Sequence, residues 1–217
     1  MNLAEAKALS AHLSDPKFRP DWYVWTGGWY ENDGEESYYF SHDYLTPDSH
    51  VLEIGAYRGA FAKRVLTTYD CWYTGLEPAM TAYLVAVETL KPYPKAEVIS
   101  MGASDKNEKA TLYDVERDSA NIFQGPGEEI VSLGDIVDIV EAIGYVDLFV
   151  MNCEGLEFRI LRRLLDSGLI SQVDRLMLQW HDVMPYAFAN WIQIESRMAK
   201  THAMQWNLGA WELWSQK

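Results

Sequence analysis

Short apolar runs alternate with amphipathic segments from Val51 to the end of the chain. The apolar runs predict strands at 51–54, 71–76, 96–101, 146–151 and 174–180. The amphipathic segments predict helices at 60–69, 79–90, 132–143, 155–166 and 186–199. Such alternation is typical of a mostly parallel sheet covered by helices on both faces. Two further apolar runs, around Asn207 to Gly209, predict a closing antiparallel hairpin over 204–214.

Residues 1–45 have a different pattern and are expected to form an extension to a domain that spans 46–217. A short helix is predicted at about 2–13. Nine aromatic residues follow between positions 22 and 44, with turn signals at Gly27-Gly28 and at 32–34 among them, so irregular or hairpin structure is expected. The aromatic segment could close over a ligand as a lid, or it could cover an open sheet edge, which is the simpler interpretation.

The charge of the chain limits its partners. The 217 residues include 18 basic and 32 acidic side chains, a net charge of −14. A field of that sign repels phosphate backbones and anionic membrane surfaces, so neither nucleic acid nor a membrane is expected as a partner. We expect a small molecule or a glycan instead, and no bound metal ion. The sequence leaves the oligomeric state open.

The cysteines and the N-terminal residues indicate a compartment. Cys71 and Cys153 each lie in an apolar run, which is typical of unpaired buried thiols in a reducing environment. The N-terminal residues lack the pattern of a signal peptide, and no apolar run approaches the length of a membrane span. A cytoplasmic protein is therefore expected.

The segment VLEIGAYRG at 51–59 joins the first parallel strand to a helix through a glycine-containing turn. A turn of this kind holds nucleotide-like cofactors in open α/β sheets. A dinucleotide fingerprint needs glycines where Tyr57 and Ala60 stand, which disfavours a nicotinamide cofactor. The looser pattern of Glu53, Gly55 and Gly59 suits S-adenosylmethionine, which carries no phosphate. The alternative is a strand–loop–helix join whose glycines serve packing alone.

A second acid supports a cofactor site. Glu77 ends the second predicted strand, 22 residues after Gly55, and Pro78 follows it at the start of the next helix. An acid at this spacing hydrogen-bonds a ribose diol in cofactor-binding sheets. Taken alone, Glu77 could equally be a solvated acid at a strand end.

Five segments in order resemble the FkbM-type S-adenosylmethionine-dependent methyltransferases. The segments are VLEIGAYRG at 51–59, GLEP at 75–78, MGASDKNEKATLY at 101–113, DLFVMNCEGLE at 147–157 and LQWH at 178–181. Val150, Asn152 and Gln179 depart from the family, which tends to carry a lysine, an aspartate and an acid there. The resemblance implies a Rossmann-like class I methyltransferase fold, with a mostly parallel seven-stranded sheet and a C-terminal antiparallel hairpin.

The proposed chemistry assigns roles to particular residues. The residues expected to bind the cofactor are Glu53, Gly55, Ala56, Tyr57, Gly59, Glu77, Pro78, Ser104, Asp105 and Asn152. Among these, Glu77 would hold the ribose and Ser104 with Asp105 would meet the adenine, although a Ser-Asp pair is also an ordinary turn cap. Glu154 and His181 are the candidate catalytic bases. Alternatively, Glu154 is an acid that only stabilises the N-terminus of a helix, and His181 is an exposed loop histidine with no catalytic role.

The resemblance implies O-methylation of a hydroxyl on a sugar, a glycan or a natural product, with S-adenosylmethionine as cofactor. The departures at Val150, Asn152 and Gln179 favour a second hypothesis, a catalytically silent protein that kept the fold and binds a cofactor or a partner. Turnover distinguishes the two.

Overall fold

A computed structural model describes residues 15–17, 22–114, 119–123, 125, 127 and 129–217, with the side chains of 22–26 excepted. The helix predicted at 2–13 lies outside the described residues.

A seven-stranded sheet forms the centre of the domain, with the strand order β3-β2-β1-β7-β8-β10-β9. Its strands are β1 His50–Ile54, β2 Trp72–Leu76, β3 Ala96–Ile99, β7 Val146–Met151, β8 Val173–Gln179, β9 His202–Leu208 and β10 Trp211–Gln216. The first five pair in parallel, and β10 pairs antiparallel with both β8 and β9. This order and the closing hairpin confirm the predicted fold class, a Rossmann-like class I methyltransferase fold.

Helices connect the parallel strands and cover the sheet. They are α2 Ala60–Tyr69, α3 Met80–Leu90, α4 Ile136–Ile143, α5 Glu157–Ser167 and α6 Ala187–Met198. Alternate residues of β1 face opposite sides of the sheet, as the strand pleat requires. Leu52 and Ile54 pack in a core with α4, α5 and α6, whereas Val51 packs in a second core with α2. Strand β1 is therefore buried on both faces, which explains its nearly continuous apolar sequence.

A smaller three-stranded sheet was not predicted. It has the order β4-β6-β5, with β4 at Gly102–Ser104, β5 at Glu108–Leu112 and β6 at Glu129–Asp135. The helix predicted at 132–143 was therefore wrong over its first turn, because residues 129–135 form a strand. Asp135 ends that strand and caps α4, since its carboxylate accepts a hydrogen bond from the backbone N–H of Val137.

The aromatic segment is helical, so the prediction of irregular or hairpin structure was wrong. Helix α1 spans Trp22–Glu31, and a single π-helical turn follows at Glu35–Tyr39. Gly27 and Gly28 lie inside α1, and the chain turns only after α1 ends. Trp29, near the end of α1, stacks on Trp211 of β10 with ring centroids 5.1 Å apart. The packing of these two rings favours the helix despite the poor helix propensity of its two glycines.

The three arginines of α5 all have partners within the protein. Arg159 pairs with Asp105 and Glu108, Arg163 pairs with Asp135, and Arg162 donates to a side chain of α6. These contacts join α5 to the smaller sheet and to the neighbouring helix. Among the described residues, none of the helices is both long enough and apolar enough to cross a membrane.

Candidate functional site

The carboxyl ends of β1, β2 and β7 meet at one edge of the large sheet and enclose a cavity of about 350 Å³, hereafter the main cavity. Open α/β sheets bind their ligands at this edge, where the strand order reverses on either side of β1. Residues of the π-helical turn and of the smaller sheet complete the wall. The volume lies in the range of small-molecule sites.

The turn after β1 forms one wall of the main cavity, through Gly55, Ala56 and Tyr57. Gly55 has a φ of +88°, and a Cβ atom built there would lie 2.0 Å from the carbonyl oxygen of Asn152. Glycine is therefore required at this position by the approach of β7 as well as by the backbone conformation. Tyr57 also has a positive φ, +46°, which marks a strained turn held by its surroundings.

Gly59 begins α2 without contacting the main cavity. Its φ is +78°, and a Cβ atom there would lie 3.3 Å from Leu90 Cγ and 3.5 Å from the Cα atom of Ala86. Both neighbours belong to α3. The glycine therefore serves close packing between α2 and α3.

Glu77 connects the end of β2 to the turn after β1. Its Oε2 accepts a hydrogen bond from the backbone N–H of Tyr57 at 2.7 Å, and its Oε1 accepts one from Ala79 at 2.8 Å. Burial raises the pKa of Glu77 to about 7, against the opposing effect of these two hydrogen bonds. Glu77 and the adjacent Pro78 both line the main cavity. A ligand hydroxyl could therefore reach the remaining lone pairs of this carboxylate.

Glu53 lies beneath the turn and is almost fully buried. The hydroxyl of Tyr73 donates a hydrogen bond to its Oε2 at 2.5 Å. Burial raises the pKa of Glu53 to about 8, although this hydrogen bond acts in the opposite direction. Glu53 is therefore mostly protonated at neutral pH.

The lining of the main cavity has acidic groups and no basic groups among its described residues. Among the described residues that line it, four are glutamates and none is lysine, arginine or histidine. The glutamates are Glu35, Glu53, Glu77 and Glu154. Such a lining suits a cationic or neutral ligand and offers no counter-charge to a pyrophosphate.

Ser104 and Asp105 lie at the end of β4 and do not line the main cavity, whereas the preceding Gly102 and Ala103 do. Ser104 is fully buried and donates a hydrogen bond to Asp105. Asp105 in turn forms an ion pair with Arg159. The structure therefore gives both side chains partners within the protein.

Asn152 follows β7 and lines the main cavity. Its backbone N–H donates to the carbonyl of Ile54, which fixes the backbone at this point. Its side-chain Oδ1 is buried and has no hydrogen-bond partner among the described residues. A buried acceptor in this state is costly, so a ligand donor is its natural partner. Val150, at the family's lysine position, is buried within β7.

Glu154, His181 and Glu157 form a buried series of charged groups. His181 Nε2 is 3.1 Å from Glu154 Oε1, and His181 Nδ1 is 2.8 Å from Glu157 Oε1. Burial alone would lower the pKa of His181, but the two glutamates outweigh it and raise that pKa to about 10. His181 is therefore a cation at neutral pH and donates to both carboxylates.

Glu157 was not among the predicted site residues. Its carboxylate is fully buried and accepts hydrogen bonds from the backbone N–H groups of Cys153 and Gly155 as well as from His181. The spacing of three residues between Glu154 and Glu157, at the start of a helix, is the sequence feature that could have indicated that the two acids act together. Only Glu154 of the series lines the main cavity.

No family model matches the chain, and no curated protein matches its sequence. Solved structures do share its fold. A chain of the fibrillarin/Nop5p complex is 9% identical, with a TM-score of 0.51 over 80% of this chain and 75% of that chain. A likeness at this identity shows the fold alone.

Two further solved structures resemble this chain less well. A putative RNA methyltransferase from Pyrococcus horikoshii is 14% identical, with a TM-score of 0.47 over 99% of each chain. An rRNA methylase from Streptococcus thermophilus is 9% identical, with a TM-score of 0.47 over 80% of this chain and 90% of that chain.

Proposed function

We propose that this protein is an S-adenosylmethionine-dependent methyltransferase that methylates a hydroxyl group on a neutral small molecule or glycan. The observation that carries the proposal is the main cavity at the carboxyl edge of a class I methyltransferase sheet, lined by four glutamates and by no described basic side chain. A positively charged sulfonium with an α-amino group complements that lining, and a dinucleotide phosphate does not.

The residues of the main cavity fit each part of S-adenosylmethionine. Glu77 is available to accept both ribose hydroxyls, as an acid at this sheet position does in other cofactor-binding folds. The backbone of Gly55 and Ala56 would face the methionine part, above Glu53, and Tyr57 and Pro78 would flank the ribose. Leu112, Ile122 and Leu133 supply apolar surface for the adenine.

S-adenosylmethionine supplies a methyl group that is already activated by the positive charge on its sulfur. The protein must align an acceptor hydroxyl with that methyl group, exclude water and remove the hydroxyl proton. The new bond joins the acceptor oxygen to the methyl carbon, and the electron pair of the broken carbon–sulfur bond stays on sulfur.

We propose that Glu154 accepts the proton of the acceptor hydroxyl. Its carboxylate lines the main cavity and is hydrogen-bonded to His181. His181 already carries a proton at neutral pH, so it acts through Glu154 by holding that carboxylate in place. Glu157 in turn fixes the imidazole from the other side. Ser104 and Asp105 would then support the adenine side of the cavity indirectly, through the backbone of β4.

The sequence, the net charge and the cysteines support further parts of the proposed function. Membership of the FkbM-type family is supported by the ordered segments around Gly55, Glu77 and Glu154. The negative charge of the chain and of the main cavity disfavours nucleic acid as the acceptor. Two free cysteines support a cytoplasmic location. The N-terminal segment would act as a lid, since Glu35, Tyr39 and Phe40 line the main cavity.

The alternative function is a silent cofactor-binding protein, and turnover tests it. Methyl-labelled S-adenosylmethionine is incubated with the protein and a panel of neutral hydroxylated acceptors, and the labelled product is counted. We expect transfer by the wild type, and Glu154→Gln should lower kcat by about 10²–10⁴ while the affinity for S-adenosylhomocysteine is kept. Glu141→Gln, at an exposed site on α4, is the matched control. Cofactor binding without transfer to any acceptor would support the silent alternative.

A further inference from the structure

A second cavity of about 260 Å³ adjoins the main cavity and is hereafter the aromatic chamber. Glu35, Tyr39 and Asn152 line both cavities, so the two spaces meet at these residues. The other lining residues of the aromatic chamber are Trp29, Tyr30, Gln179, Leu208 and Trp211. The chamber therefore opens beside the carboxyl ends of β7 and β8, on the lid side of the main cavity.

Aromatic rings form the walls of the chamber. Trp29 and Trp211 stack at 5.1 Å with an interplanar angle of 21°. Tyr39 meets Trp211 edge-on at 5.0 Å and Trp29 at 6.3 Å. Rings held against one another in this way present rigid apolar surface, which suits the face of another ring at little entropic cost.

Hydrogen-bonding groups enter the chamber from two strand ends. Asn152 follows β7, and its buried Oδ1 has no partner among the described residues. Gln179 ends β8 and pairs in register with Trp211 of β10, which fixes its place beside the aromatic wall. Two side-chain amides offer both donors and acceptors, the combination that hydroxyl groups need.

The charge of the chamber narrows the ligand class. Glu35 is the one charged side chain among the described residues that line it. A phosphate or carboxylate on the ligand would find no counter-charge there, and it would lie near a glutamate. A neutral ring with hydroxyl groups satisfies the aromatic walls, the two amides and the carboxylate together.

We propose that the aromatic chamber is the acceptor site, and that it binds a neutral hydroxylated ring which projects its reacting hydroxyl past Asn152 into the main cavity. This inference rests on the proposed function, because it assigns the second substrate of the same reaction. It specifies the ring-binding surface as Trp29, Tyr39 and Trp211, and the hydrogen-bonding pair as Asn152 and Gln179. The π-helical turn at Glu35–Tyr39 then contacts both substrates.

The test is calorimetry on full-length protein saturated with S-adenosylhomocysteine. Three probes are titrated: methyl β-glucopyranoside, catechol and phenyl phosphate. We expect a neutral probe to bind, the glucoside if the acceptor is a sugar and catechol if it is a phenol, and phenyl phosphate to bind at least about tenfold more weakly. Tighter binding of phenyl phosphate, or binding of neither neutral probe, would overturn the inference.

Two variants locate the bound probe. Gln179→Leu and Trp29→Leu should each weaken the neutral probe by about tenfold or more while the affinity for S-adenosylhomocysteine is unchanged. Trp72→Leu is the matched control, because Trp72 is half-exposed at the opposite end of β2. Unchanged probe affinity in Gln179→Leu and Trp29→Leu would place the ring elsewhere. If the wild type did not bind S-adenosylhomocysteine, that result would instead contradict the proposed function itself.

Discussion

The backbone N–H of Tyr57 donates a hydrogen bond to Glu77 Oε2 at 2.7 Å. Through this contact the end of β2 holds the turn after β1, so the proposed ribose-binding acid also shapes the wall for the methionine part. Ala79 donates to the second oxygen of the same carboxylate. A single buried side chain therefore serves both the fold and the proposed binding site. For a substitution at Glu77, both the cofactor affinity and the free energy of unfolding must be measured.

Glu77→Gln should weaken binding of S-adenosylhomocysteine by about 1.5–3 kcal/mol, because hydrogen bonds to a charged group are lost. The amide can accept from only one of the two backbone N–H groups, so the variant should fold with a lower free energy of unfolding. Binding is measured by calorimetry and folding by urea denaturation. Glu97→Gln, at an exposed position of β3, is the matched control and should leave the affinity unchanged. Full affinity in Glu77→Gln would mean that the ribose lies elsewhere.

The affinity for S-adenosylhomocysteine should rise with pH. Burial raises the pKa of Glu77 to about 7, and donated ribose hydroxyls favour its charged form. Affinity therefore increases as the pH rises from about 5.5 to 8, with proton release on binding near pH 7. Titrations at several pH values measure the slope, which Glu77→Gln should reduce. A slope of the opposite sign would show that binding favours the protonated carboxyl.

Gly55→Ala should destabilise the fold as well as the site. The added Cβ would lie 2.0 Å from the Asn152 carbonyl oxygen at a φ of +88°. Gly168→Ala is the matched control, since Gly168 has a φ of +80° and open space around the added atom. Conformational strain costs about 1–2 kcal/mol in both variants, and the collision adds to it only at Gly55. Equal free energies of unfolding in urea would show that the backbone of β7 yields without cost.

The inner strands of the large sheet were predictable because their burial leaves apolar runs, and the helices were predictable because one buried face leaves an amphipathic pattern. Strand β4 has three residues, and Val131 and Leu133 alternate in a stretch that continues directly into α4. Period-2 and period-3.6 patterns overlap there, so the smaller sheet was missed. Trp29 of the aromatic segment packs on Trp211, and a contact between residues so far apart in sequence leaves no local pattern from which to predict the helix.

The candidate site was predictable where one turn or strand end carries it, as at Gly55 and Glu77. The partner of His181 was not predictable, because Glu157 lies 24 residues away and meets it only after β8 packs beside β7. The charged state of His181 follows from its three-dimensional contacts with Glu157 and Glu154. The aromatic chamber likewise brings together the N-terminal segment, β7, β8 and β10.

His181 should make stability fall as the solution becomes alkaline. Its folded-state pKa, about 10, exceeds the unfolded value near 6.5, so its stabilising contribution is complete below about pH 6.5 and is lost as the pH rises through about 10. The slope of the free energy of unfolding approaches about 1.4 kcal/mol per pH unit within that range. Urea denaturation from pH 6 to 10 measures it.

His181→Gln should flatten that slope above pH 7. His202→Gln is the control, because burial lowers the pKa of His202 and its titration falls below that range. A wild-type slope that persists in His181→Gln would assign the titration to another group.

Calorimetry of the wild type with S-adenosylhomocysteine and with NAD tests the cofactor most directly, because the two ligands share an adenosine and only NAD carries a pyrophosphate. The four glutamates of the main cavity should admit S-adenosylhomocysteine at one site per chain and leave NAD bound at least about tenfold more weakly. Tighter binding of NAD than of S-adenosylhomocysteine would contradict the assignment of a methyltransferase.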